Sequence, residues 1–294
     1  MVVIVAPATI PAMRLLDEAT TQRASAPAPG TGILAFSRVG DRTVATRAYA
    51  ASPLKLLQPK NGGHAAWVYA STYGGGLVDG DRLSLTVGVG DGASAFLSTQ
   101  ASTKIYRSPA GTTNTFTARV ADDGLLVAMP DPVVCFAGAS CRQEQQIDLA
   151  SSANLVLVDW ITSGRRAFGE RWKFDNYEGR IFIRRAGRPI VYDALVLRQT
   201  DGDLAVRLGR FNALALVTVL GPSLVRHAER IVAAVAGLPV RQRADRLQAA
   251  SLIGDGGCVL RVAGVSVEDV GHAIRERLAF LPRVLGDDPW TRKW

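Results

Sequence analysis

The chain has 294 residues, 48% of them hydrophobic and 20% charged, and its 34 Lys and Arg against 26 Asp and Glu give a formal net charge of +8. That much apolar matter excludes intrinsic disorder for most of the length. It permits a large core, in one β domain or two smaller ones.

Residues 1–31 are rich in Ala, Pro and Thr and end in SAPAPGT. They read as a loose arm with one short helical piece at 13–20. From Gly32 the pattern turns to period two. Residues 82–89 alternate strictly, with Leu83, Leu85, Val87 and Val89 on one face, and 115–120 repeat the pattern. Further strands are predicted at 33–39, 43–50, 66–73, 95–99, 125–129, 145–149, 155–162, 180–184, 190–197 and 205–208. Turn formers separate many of them: Gly40-Asp41, Asp79-Gly80-Asp81, Gly90-Asp91-Gly92, Asp122-Asp123-Gly124 and Asp201-Gly202-Asp203. Nothing of helical length lies between them, which argues for antiparallel packing and against βαβ units.

Helices are expected only late. Residues 222–238 place Leu224, Ala228, Ile231, Val235 and Leu238 on one stripe, with Ser223 as N-cap. Ser266-Val267-Glu268-Asp269 resembles a capping box, and Pro282 would stop the helix it starts. Between them, 246–253 and 258–262 flank a glycine-rich turn and read as a hairpin. The expected layout is mainly β: many short, largely antiparallel strands with a small C-terminal α/β end carrying two helices. We expect one domain over 32–294, with a β body at 32–220 and the helix and hairpin end at 221–294.

No apolar run approaches the ~20 residues that span a bilayer. The apolar start has no basic residue before Arg14 and makes a poor secretory signal. Three cysteines, Cys135, Cys141 and Cys258, do not describe a disulfide framework, so a cytoplasmic location and no membrane association are expected. Their spacing matches no zinc motif. Phosphate-loop, His-Glu-x-x-His and Gly-x-Ser-x-Gly signatures are absent. The glycines of 88–92 lie between two alternating strands and read as a turn. Three scattered histidines, His64, His227 and His272, weaken the case for an enzyme. The basic excess concentrates in 165–198, but Glu170, Asp175 and Glu178 interleave, so this is not a phosphate-binding run and no nucleic-acid partner is expected.

Four segments stand out: YASTYGGGLVDGD at 69–81, TQASTKIYRS at 99–108, MPDPVVCFAGA at 129–139 and LVDWITSGRRAFGERW at 157–172. In this order they resemble the UreD family of urease accessory proteins, called UreH in some organisms. The resemblance extends from about Ile33 to the C-terminus. The commoner bacterial pattern has His-Pro-Pro before Gly-Gly-Leu-Val, where this chain has Ser71-Thr72-Tyr73, so no role of that His transfers. The Asp159-Trp160-Ile161-Thr162-Ser163-Gly164 version looks like the branch shared with fungal and plant members. The resemblance implies a β-helix-like stack of strands with two helices. It implies a non-enzymatic scaffold that docks with UreF and UreG on the urease apoprotein. Nickel would pass through it in transit, with no cofactor held permanently. The GTPase would be UreG.

Within these segments Gly74-Gly75-Gly76 permits positive φ and close backbone approach, as a bend or a contact loop. Asp81 fits an Asx-type turn or a carboxylate at a tunnel wall. Lys104 and Tyr106 would share one face of a strand and Arg107 the other, at a solvated strand end or docked on an acidic partner. Asp159 sits in an apolar strand and needs a partner, which Arg165 or Arg166 would supply. Given the nickel passage and docking that the resemblance implies, Asp81, Asp159 and Glu170 are the candidates for transient nickel contact, and Lys104, Tyr106, Arg107 and Arg165 for partner binding. A conduit favours carboxylates over His and Cys clusters, which would trap Ni²⁺. Two rivals remain: a carboxylate hydrolase, requiring two of these acids to converge in one pocket, and a basic β-rich binding module, requiring a continuous basic or aromatic face.

Overall fold

A computed structural model describes residues 28–239, 241–254 and 256–291. The expected helical piece at 13–20 lies outside these. The first strand, β1 (Thr31–Val39), begins at the last residue assigned to the arm and pairs with β2 (Arg42–Ala50); β3 (Leu54–Leu57) follows. The chain then winds in coils. The first contains β4 (Ala66–Thr72), β5 (Gly76–Leu77) and β6 (Arg82–Val89), and the second β7 (Ser94–Thr99), β8 (Thr103–Ile105) and β9 (Thr112–Val120). The third contains β10 (Leu125–Met129), β11 (Val133–Cys135) and β12 (Ser140–Leu149). The fourth joins β13 (Asn154–Thr162) to β14 (Asn176–Arg185) through an irregular segment, and β15 (Arg188–Arg198) folds back on β14. After a short helix α1 (Leu204–Arg207) come β16 (Ala213–Leu220), α2 (Val225–Ala236), β17 (Arg246–Ile253), β18 (Gly257–Gly264), α3 (Val267–Arg277) and α4 (Leu281–Leu285).

Successive coils stack in register. Ala66, Ala95, Leu126 and Leu155 stand side by side in one sheet, and Leu85, Phe116, Gln145 and Ile181 in the other. The fold is thus a mainly β, solenoid-like stack with its helices near the C-terminus. The expectation of largely antiparallel strands is overturned: among the described residues ten strand pairings are parallel and six antiparallel. A parallel pair needs a long crossover, usually a helix. Here the rest of each coil, passing through the opposite sheet, supplies it. For the same reason residues 90–92 form an arch between the two sheets rather than a hairpin.

Two cores result. Alternate residues of the coils meet between the sheets, including Leu34, Val87, Leu97 and Leu157. The opposite face of the second sheet, with Trp67, Phe96, Val156 and Val217, is covered by α2, α3 and α4 through Ala228, Ile231, Ile274 and Leu281. β16, buried along nearly its whole length, is not among the predicted strands. The expected strand at 205–208 is instead helical, because Asp203 accepts the N–H groups of Ala205 (2.7 Å) and Val206 (3.2 Å) and caps a helical turn. Ser266 caps α3 as expected, accepting from Asp269 N at 3.0 Å. Ser223 does not cap α2; its hydroxyl donates to Asn154 Oδ1 at 2.6 Å. Pro282 lies in the first turn of α4 rather than ending α3, as suits a residue with no N–H to satisfy. No described helix is long and apolar enough to cross a membrane.

Candidate functional site

The inter-sheet core is interrupted by a cavity of about 160 Å³. That is room for several waters. Its walls come from both sheets: Leu83, Leu85 and Phe116 on one side, Leu97, Ala128 and Leu157 on the other. The polar lining comes from two strands that substitute amides and an acid where the pattern calls for apolar side chains. The inward face of β12 reads Cys141, Gln143, Gln145, Ile147, Leu149. On β13, Asp159 takes the inward position between Leu157 and Ile161.

Asp159 touches the cavity and is otherwise packed in protein. Gln143 Nε2 donates to its Oδ1 at 2.6 Å across the gap between the sheets. Burial pushes its pKa up to about 6; the Gln143 and Gln145 hydrogen bonds oppose the rise and the Asp193 charge adds to it. The expected pairing with Arg165 or Arg166 is therefore replaced by neutral amides. Burial likewise raises the Cys141 thiol to about 11 and the Tyr177 hydroxyl well above its usual value, so both stay protonated behind the cavity. Ser71 and Thr72 at the end of β4, Thr99 at the end of β7, and Ser102 and Asp131 in the loops beyond complete the lining. Thr99 Oγ1 accepts from Asp131 N at 2.7 Å and donates to Asp131 Oδ2 at 3.2 Å.

Arg165 serves a different site. Its Nε donates to Glu170 Oε2 at 2.8 Å, and Ala137 N donates to the same oxygen at 3.2 Å. The guanidinium bond to Arg165 is the main cause of a lowered Glu170 pKa. The Arg165 guanidinium lies 4.1 Å from the Phe136 ring centroid and 5.1 Å from that of Phe168. Tyr106 meets Phe136 edge to face at 5.1 Å. Phe168 itself is 75% exposed. Lys104 and Arg107 are exposed, but β8 ends at Ile105, so Tyr106 and Arg107 lie beyond the strand. Asp81 accepts the Val78 N–H at 2.8 Å and closes a turn; it does not line the cavity.

The structure thus separates the three candidate acids: Asp159 at the cavity, Glu170 with Arg165, Asp81 in a turn. That is not the converging pair a carboxylate hydrolase requires. The basic stretch is partly answered by acids: Arg180 pairs with Glu178, Arg184 with Asp148 (2.6 Å), and Arg165 with Glu170. Among the described residues no three His, Cys, Asp or Glu side chains gather as a metal-holding set. The site residues missed from sequence, Gln143 and Gln145, carried a signal: two amides on the inward face of a strand that is otherwise apolar inside.

The model of the UreD urease accessory protein family matches residues 28–294. The chain is 52% identical over 265 residues to urease accessory protein UreD of Sorangium cellulosum (strain So ce56), covering 90% of this chain and 84% of the relative. It is 44% identical to the UreD of Anaeromyxobacter sp. (strain Fw109-5), covering 90% and 89%. It is 36% identical to urease accessory protein D of Oryza sativa subsp. japonica, covering 93% and 98%.

Proposed function

We propose a function from the premise that this chain belongs to the UreD family of urease accessory proteins: within urease maturation it is a non-catalytic scaffold that conducts Ni²⁺ to the urease apoprotein while docked with UreF and UreG. The observation that carries the proposal is Asp159, a single carboxylate held by amides at a cavity between two strand-built walls. One carboxylate, amide oxygens and water bind Ni²⁺ weakly enough to release it, whereas several His or Cys would hold it. Nickel is cargo in this reading. Of the three candidate acids, Asp159 is the one that lines the cavity, which supports giving it this role. Glu170 holds Arg165 in a docking surface centred on Phe168, with Lys104, Tyr106 and Arg107 nearby. Asp81 shapes the turn before β6. Nucleotide hydrolysis is left to UreG.

The test is urease activity and urease nickel content in cells with the gene, without it, and with Asp159→Asn. The proposal expects urease protein to accumulate with little nickel in the second and third strains. Nickel-loaded urease in the deletion strain would overturn the maturation role. Full loading with Asp159→Asn alone would overturn the conduit.

A further inference from the structure

β17 ends its sheet and pairs with β18 alone among the described strands. Only its last residue, Ile253, packs on the inter-sheet core. Asp193 of β15 forms an ion pair with Arg261 of β18, so the edge of one sheet lies over the second strand of the other, and β17 overhangs. Its even-numbered residues turn toward the helices, where Gln248 accepts from Arg277 Nε at 3.1 Å and Ala250 packs on the helical core. Its odd-numbered residues turn toward the inter-sheet side and meet no strand at their centre: Leu247 is 46% exposed, and Ala249 and Ser251 are exposed as well. Leu252 on the helix side is 58% exposed.

An eight-residue edge strand of this kind presents alternate N–H and C=O groups to any extended chain that approaches. Natural sheets usually blunt such edges with Pro, Lys, a bulge or an inward charge. RLQAASLI contains neither Pro nor Lys, and β17 pairs with β18 without a register shift. The segment leading into it carries exposed Arg241 and Arg243 against a single exposed acid, Asp245, and Arg210 Nε donates to Ala244 O at 3.1 Å beside them.

We infer that β17 is a strand-addition site for an extended, acidic segment of a partner protein. The edge amides and carbonyls would supply the main-chain hydrogen bonds, Leu247 and Leu252 the apolar contacts on either face, and the arginines the preference for acidic side chains. A second copy of the chain fits less well, because it brings the same arginines and has no acid within the strand to meet them.

The choice of probes rests on the function proposed above. Amide hydrogen exchange is measured on the full chain alone and with urease apoprotein, UreF or UreG. The expected result is protection of β17 in one of these complexes, with binding weakened about tenfold or more by Leu247→Lys with Leu252→Lys, and also by Arg241→Glu with Arg243→Glu. Unchanged exchange of β12 in the variants shows that they fold. Complexes that leave β17 unprotected overturn the inference. So does a β17-protected dimer of the chain alone. If none of the three proteins binds, the functional reading fails. The edge is then decided by a synthetic octapeptide of alternating Val and Glu: salt-sensitive protection of β17 upholds the inference, and no protection overturns it.

Discussion

Gln143 and Asp159 sit on opposite sheets and meet at 2.6 Å, the amide donating to the carboxylate. The bond ties the two walls of the cavity together where an apolar contact would otherwise close it. It also sets the chemistry of the acid, since a buried carboxylate with neutral partners is stabilised less than one facing an arginine.

Asp159→Asn is expected to stabilise the protein near neutral pH while impairing nickel delivery. The pKa of Asp159 is raised from 3.8 to about 6 in the folded state, so the native protein holds the proton more tightly than the unfolded chain. The Asp159 contribution to wild-type stability is therefore full below pH 4, is lost as pH rises through about 6, and stays lost above it. The variant lacks that loss. Urea unfolding should show the two proteins alike at pH 4 and the variant more stable by about 1–3 kcal/mol at pH 7.5. Equal stability at both pH values would show that the carboxyl is not strained by burial.

Gln143→Leu removes the donor and leaves the carboxylate with less support. The expected cost is about 1–3 kcal/mol at pH 7.5, shrinking at pH 4, where the acid is protonated. A carbon-detected titration should place the Asp159 pKa above its wild-type value. A lower value would contradict the geometry.

The three consecutive glycines have two different reasons to be glycine. Gly74 has φ +77 and open space around its Cα, whereas Gly76 has an extended backbone, and a Cβ there would stand 2.6 Å from Lys104 O. Gly74→Ala should cost about 1 kcal/mol and Gly76→Ala about 2–4 kcal/mol, because β5 must move off β8. Thermal unfolding of the two variants ranks them directly.

Phe168→Ala should change stability by no more than about 0.5 kcal/mol, since the ring is three-quarters exposed. Binding to the urease complex should weaken by about tenfold or more if the ring is a docking anchor. Surface plasmon resonance at two salt concentrations reads both the loss and the contribution of the surrounding cations. Undiminished binding would remove this surface from the docking reading.

Much of the stack was legible from local pattern. Alternation marked β6 and β9, the glycine-rich turn marked the β17–β18 hairpin, and Ser266 marked the start of α3. Strand direction was not, because period two is the same in parallel and antiparallel sheets. The two- and three-residue strands β5, β8 and β11 are too short to carry a period at all. The site was half legible: Asp159 was visible as an acid in an apolar strand, but its partner lies 16 residues away on the opposite wall, a distance fixed by the stacking of coils and invisible to any local window. Arg165, nearer in sequence, was the natural guess, and Glu170 already holds it.

The cavity is framed by strands rather than loops, and that has a consequence for control. Ladder spacing of roughly 4.8 Å fixes how far apart its wall residues sit, and the inward side chains of each coil, such as Leu83 with Leu85 and Gln143 with Gln145, fix its bore. Such a frame does not swell or shrink when something settles on the surface. What remains adjustable is the rim, where β4 and β7 end at Thr72 and Thr99 and the loops with Ser102 and Asp131 begin. A valve on this molecule would therefore be a lid brought by whatever docks there, with the barrel beneath it left untouched.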